Sequence, residues 1–248
     1  MKVLVVIITE KEVMKACMDS VLAQDCPDFD VMVHVHRPAF VCDDSRHAPE
    51  VQAAITKYVN CAENRERARK MALASDAEKF LFVDSDILLP SGALSELVKQ
   101  NMDVIAGWYK VQYEERYTCG RWVADNLFLN LWAVERSVVK VDSFGMGCAL
   151  FSRRALTDVH FHHGTDMWAK TIIGGQESNF IVGECGAVGG LLLDKGYQPY
   201  MDGSVVCEHL DRAAGLQAAV RASAGLAASS LPMAMDQTDA KRLMATSA

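Results

Sequence analysis

The sequence predicts an α/β fold built on a mainly parallel central sheet, for three reasons. Lys2–Thr9 is a nearly unbroken β-branched run, the pattern of a strand covered on both faces. A second apolar run, Lys79–Val83, has the same character. Around them strand-like segments alternate with stretches of helical spacing, which right-handed crossovers join into parallel pairs.

Taken in order, Glu12–Ala23 sets Val13, Ala16, Cys17, Val21 and Leu22 at helical spacing. Phe29–Val35 is a second strand, with Val31, Val33 and Val35 on one face and His34, like His36, on the other. Arg37–Pro49 reads as a loop, followed by a short helix over Glu50–Tyr58 and another over Glu63–Ala74. Ser91 is placed to cap a helix reaching Gln100, and Val104–Trp108 is a fourth strand. From Tyr109 to Phe144 the pattern breaks into aromatic and charged residues, which predicts loops and short strands. Cys148–Ser152 is a strand, Glu184–Lys195 a helix, and Tyr197–Met201 and Val205–Cys207 are short strands. The predicted unit spans residues 1–210. The Ala- and Ser-rich stretch 211–248 predicts an appended helix and tail without a site.

Composition narrows the class without naming a function. Half of the 248 residues are hydrophobic and 23% are charged, which suits a globular chain. A net charge of -7 argues against a protein that coats nucleic-acid phosphates. No apolar run reaches the roughly 20 residues of a transmembrane helix. The Val3–Ile8 run is too short for a signal peptide, and Glu10, Lys11 and Glu12 follow it directly. Eight scattered cysteines with no CxxC pair weaken zinc-ribbon and thioredoxin readings and suit a reduced, cytoplasmic setting.

Chemistry is expected at the end of the third strand, because open α/β sheets bind ligands beyond the carboxyl ends of their strands. There Asp84-Ser85-Asp86 sets two carboxylates one residue apart, a pattern suited to a hard divalent cation. Spacing alone does not decide the matter, since Asp28-Phe29-Asp30 repeats it. That copy precedes its strand and lies at the wrong end of the sheet. His34 and His36 share spacing that a metal accepts, but partly exposed histidines are the commoner outcome. His160, His162 and His163 lack a nearby acidic or cysteine partner and read as loop residues.

Five segments, in order, resemble the inverting, family-two-like glycosyltransferases of the GT-A fold. They are Asp19–Gln24, the Ala68–Leu73 helix, FLFVDSDILLP, GMGCALFSRRAL and the stretch from Gly183 to Leu210. The resemblance covers roughly residues 1–210. It implies a GT-A-type, Rossmann-like mixed sheet, mainly parallel and flanked by helices. It also implies transfer of a sugar, with inversion, from a nucleotide-diphosphate donor, a UDP-sugar first, to an acceptor hydroxyl. Asp86 is then the main ligand of Mn²⁺ or Mg²⁺, Asp84 faces the ribose or the metal shell beside Ser85, and His209 completes the metal site. Thr9 and Glu10 border the nucleotide base, His36 and Arg37 reach base or ribose, and Arg69, with Asn64 or Arg65, reaches base or diphosphate. Glu184 is the implied general base, with Glu177 as the alternative, and Cys185 stands where the family has an aspartate. Trp108 and Trp168 are candidate sugar contacts as well as candidate core residues.

Polysaccharide, lipid-linked glycan, protein and a modified DNA base all remain open as acceptors. A sugar-nucleotide pyrophosphorylase is disfavoured because Thr9–Val13 contains no glycine. A catalytically silent module that binds a sugar nucleotide or glycan stays open because of Glu184-Cys185.

Overall fold

A computed structural model of the chain describes residues 1–110, 117–124, 127–130, 137–163, 168–173 and 176–210. The first half contains β1 (Val3–Thr9), α1 (Lys15–Leu22), β2 (Phe29–Val35), α2 (Pro49–Leu73) and β3 (Lys79–Asp84). It continues through β4 (Ile87–Leu88), α3 (Ala93–Lys99) and β5 (Val104–Trp108). Next come β6 (Gly120–Ala124), β7 (Leu127–Asn130), β8 (Val138–Lys140), β9 (Cys148–Ser152) and α4 (Arg153–Asp158). The last elements are β10 (Trp168–Ile173), β11 (Gln176–Ile181), α5 (Glu184–Asp194), β12 (Tyr200–Val206) and β13 (Glu208–His209).

Seven strands form the central sheet in the order β2-β1-β3-β9-β5-β12-β8. Pairing is parallel at β2-β1, β1-β3 and β5-β12, whereas β9 runs against both neighbours and β8 against β12. This is the mixed, mainly parallel sheet flanked by helices expected of a GT-A-type, Rossmann-like fold. All seven residues of β1 are buried, and they face two cores by alternation. Leu4, Val6 and Ile8 share one core with Ala68 and Ala72 of α2, Ala155 and Leu156 of α4 and Val188 and Leu192 of α5. Val3, Val5 and Ile7 share the other core with Cys17 and Val21 of α1 and Leu94 and Leu97 of α3. Each such side chain taken from water contributes about 1.5–3 kcal/mol, which is why this strand tolerates no polar residue before its end.

Three expectations are corrected in detail. The two helices expected on either side of residues 59–62 are one helix of 25 residues. Val59-Asn60-Cys61-Ala62 contains no breaker, and Pro49 at the first turn supplies the only punctuation. Ser91 does not cap α3: the preceding residue is Gly92, at φ 76°, with no side-chain cap of its own. Gln24 takes over that work from across the molecule. Its Oε1 accepts the Leu94 N–H at 2.9 Å, and its Nε2 donates to the Pro90 carbonyl at 3.1 Å. The two short strands expected over Tyr197–Cys207 are largely one, β12, with an irregularity between Asp202 and Val206. The short strands expected between Tyr109 and Phe144 include β6 and β7, which join β10 and β11 in a four-stranded sheet ordered β11-β10-β7-β6.

Glycine at 189 has a packing reason. α5 lies so close to the chain at Asp142 that a Cβ there would overlap the Asp142 carbonyl oxygen, which is backbone and cannot swing away. Gly189→Ala is therefore expected to cost about 1–3 kcal/mol by displacing the helix. Urea unfolding measures it, and an unchanged midpoint would refute the contact. Among the described residues no helix is long and apolar enough to cross a membrane. Residues 211–248, where a helix and tail are expected, lie outside the described residues.

Candidate active site

The Asp84–Asp86 turn is tied down on every side by backbone hydrogen bonds. Asp84 N–H donates to the Gly147 carbonyl at 3.2 Å, and Ser85 N–H to the Ile8 carbonyl at 3.2 Å. Met14 N–H donates to the Ser85 carbonyl at 3.3 Å, and Leu210 N–H to the Asp86 carbonyl at 2.8 Å. The Ser85 side chain makes none of these bonds. The turn is thus positioned by β1, by the residues leading into β9, by the approach to α1 and by the end of β13.

Asp86 meets His209 although 123 residues separate them. Strand β13 pairs antiparallel with β4, setting Glu208 opposite Leu88 and His209 opposite Ile87. His209 Nδ1 lies 3.3 Å from the Lys110 carbonyl, which can only accept, so Nδ1 carries the proton there. The Nε2 atom then faces Asp86 Oδ2 at 3.0 Å. A neutral ring oriented this way presents a lone pair to a carboxylate, and two acceptors approach so closely only with a proton or a cation between them. With a proton there, burial lowers the pKa of His209, but the Asp86 carboxylate outweighs it and the net shift is upward. Burial likewise raises the pKa of Asp86, and the bond to His209 reverses the sign, so the net shift is downward. The ring of Tyr109 stands nearly perpendicular to that of His209, their centroids 6.0 Å apart. Its hydroxyl oxygen accepts the Gly147 N–H at 2.9 Å.

Asp84 belongs to a second constellation. Helix α2 buries a stripe that includes Ile55, Ala62, Arg65, Ala68 and Ala72, and the small alanines let Arg65 lie against the strand ends. Its Nη1 and Nη2 hold the two oxygens of Asp84 at 2.9 and 3.1 Å, a bidentate fork. Its Nε lies 3.4 Å from Oε1 of Glu184. Burial by itself lowers the pKa of Arg65, but Asp84 and Glu184 more than offset it and keep the guanidinium charged. Glu184 opens α5 and is 5% exposed, while the Cys185 thiol donates to the same Oε1 at 3.4 Å. One cation therefore links the acidic turn to the first residue of α5.

The structure brings together Asp84, Asp86, His209 and Glu184, and both oxygens of Asp84 are taken by Arg65. A neighbouring group sits at the ends of β1 and β2. Thr9 is buried, its hydroxyl oxygen accepting the Lys11 N–H at 3.2 Å. The Glu10 carbonyl accepts Arg37 Nε at 2.8 Å, and both of those side chains are exposed. His36 N–H donates to the Thr9 carbonyl at 3.1 Å, and Asn64 Nδ2 to the His36 carbonyl at 3.4 Å.

Arg69 is not part of either group. It is buried and holds Glu66, the Leu156 carbonyl and His160, which joins α2 to α4. Trp108 lies in the core at 0% exposure, so only the packing half of its reading stands. The side chains of Trp168 and Glu177 lie outside the described part. Of the loop histidines, His163 is buried against the Val182 carbonyl while His160 and His162 are exposed.

Arg65 is the residue whose importance sequence reasoning understated. The signal was present: it falls on the buried face of a helix that leads into the acidic strand, where an arginine needs anionic partners. Among the described residues no group of three or more His, Cys, Asp and Glu side chains is arranged to hold a metal ion.

No family model matches the chain, and no curated protein sequence matches it. Solved structures do. One is the crystal structure of A197 from STIV, with a TM-score of 0.52 and 16% identity over 84% of this chain and 85% of that one. Another is GalNAc-T7 with UDP, GalNAc and Mn²⁺, with a TM-score of 0.48 and 10% identity. That match spans 84% of this chain but 43% of the other. An identity of 16% makes the likeness to A197 from STIV one of fold alone, and no comparison singles out family two.

Proposed function

We propose that residues 1–210 form a metal-dependent glycosyltransferase that moves a sugar from a nucleotide-diphosphate donor, a UDP-sugar first, to an acceptor hydroxyl with inversion. The observation behind this is the convergence, beyond the carboxyl ends of the strands, of the Asp86–His209 pair and the Asp84–Arg65–Glu184 link. The pair fits Mn²⁺ or Mg²⁺: one oxygen and one imidazole nitrogen lie 3.0 Å apart. Two adjacent ligand atoms of an octahedral ion have that separation when each is about 2.1 Å from the metal. Two protein ligands also suit ions that take their remaining ligands from water and phosphate. Bound there, the ion neutralises charge on the diphosphate as it leaves.

The chain's own groups have the remaining roles. Asp86 and His209 hold the ion, and Arg65 adds a buried positive charge behind the acidic turn. Thr9, Glu10, His36 and Arg37 border the nucleoside. Asn64 Oδ1, buried and without a hydrogen-bond partner among the described residues, is an acceptor suited to a base N–H. Glu184 takes the proton of the attacking hydroxyl.

A second reading has its own support. Glu184 is 5% exposed and faces a guanidinium, as it would in a catalytically silent module that only binds a sugar nucleotide.

Calorimetry with UDP and GDP, with and without Mn²⁺, tests the shared premise. The expected result is Mn²⁺-dependent UDP binding, weakened at least about tenfold in Asp86→Ala. No nucleotide response from the unaltered chain would end both readings. Binding without donor hydrolysis would favour the silent module.

A further inference from the structure

The carboxylate of Glu184 is held asymmetrically. Both neighbouring donors approach the same oxygen: Arg65 Nε lies 3.4 Å from Oε1, and the Cys185 thiol donates to Oε1 at 3.4 Å. Arg65 has no other nitrogen to give, because Nη1 and Nη2 hold Asp84. Its Nε is buried and makes no hydrogen bond among the described residues, so its contact with Glu184 is ionic. Among the described residues Oε2 makes no hydrogen bond. We propose that Cys185 is a positioning residue which, with Arg65, clamps Oε1 of Glu184 and so dedicates Oε2 to the proton of the acceptor hydroxyl.

This rests on the reading of Glu184 as general base, and it gives the cysteine at 185 a reason. In the step served, the acceptor oxygen forms a bond to the anomeric carbon while the carbon–oxygen bond to the diphosphate breaks. That electron pair leaves with the nucleotide, and the hydroxyl proton passes to Oε2. A base must be oriented without losing basicity, and each hydrogen bond to a carboxylate lowers its proton affinity. A thiol is a weak, neutral donor, so it orients a carboxylate with little competition for the remaining lone pairs. Burial and the adjacent Glu184 raise the thiol's pKa well above its usual value, which keeps it a donor. An aspartate there would place a third carboxylate around the single guanidinium already shared by Asp84 and Glu184.

The test uses the full chain with Cys185→Ala, Cys185→Ser, Cys185→Asp and Glu184→Gln. Hydrolysis of UDP-glucose, UDP-galactose and UDP-N-acetylglucosamine with Mn²⁺ gives kcat and KM, and infrared difference spectra give the S–H stretch of Cys185. Cys185→Ala is expected to lower kcat about three- to tenfold with KM unchanged, and the hydroxyl of Cys185→Ser to restore it to within about twofold. Cys185→Asp should lower kcat further. The S–H band should lie at reduced frequency and move in Glu184→Gln. If Glu184→Gln keeps full kcat, the base reading falls and takes this proposal with it. If Glu184→Gln is inactive while Cys185→Ala matches the unaltered kcat, only this proposal falls. Equal impairment in the Ala and Ser variants assigns the residue to packing and overturns it. A band insensitive to Glu184→Gln does the same without reference to turnover.

Discussion

Arg65→Ala is expected to destabilise the fold by about 3–5 kcal/mol, the usual cost of leaving buried charges without their partner. Arg65 is 5% exposed, and its loss strands Asp84 at the end of β3 and Glu184 at the start of α5. Lysine is not expected to rescue it, since one ammonium cannot grip both oxygens of Asp84 and still face Glu184. Urea unfolding gives the measurement, as a lower midpoint at unchanged slope. A loss under about 1 kcal/mol at neutral pH would mean that water replaces the guanidinium, and the link would not be structural.

Glu184→Gln is expected to lower donor turnover by about 10²–10⁴-fold while leaving Mn²⁺-dependent UDP affinity close to its original value. Glutamine keeps the shape of the side chain but cannot take a proton. Among the described residues neither Asp86 nor His209 has a hydrogen bond or ion pair with Glu184, so metal and nucleotide binding should survive. Steady-state hydrolysis paired with calorimetry separates the two effects. The matching Glu177→Gln variant, on β11, is the comparison. Should Glu177→Gln abolish turnover while Glu184→Gln does not, the base assignment moves to β11. Should both remain active, proton removal is not performed at either position.

Several parts of this site were legible in the chain. Asp84 and Asp86 stood out because an apolar strand ran straight into them, and His209 because five ordered segments resembled one family. Other parts misled. The family resemblance puts Arg69 ahead of Arg65, which lies four residues before it on the same helix, as the contact to base or diphosphate. A turn of helix separates their surroundings, and Arg69 is consumed by Glu66 and the Leu156 carbonyl. Ser91 had the chemistry of a cap, but the cap came from Gln24, in a different segment. Cys185 read as a missing aspartate, whereas its thiol shares an oxygen of Glu184 with Arg65.

What the sequence by itself determined was the layered α/β plan: which runs are strands, which faces are buried, and at which strand end acidic residues collect. Those features are written in the period of the side chains and in the cost of burying polar ones, both of them local. Only the tertiary structure decided the partners. That Arg65 holds Asp84, that His209 crosses 123 residues to reach Asp86, and that Arg65 and the Cys185 thiol face the same oxygen of Glu184 depend on how α2, β13 and α5 dock on the sheet. Charged groups choose among partners by distance and burial in the folded chain, and sequence spacing contains neither.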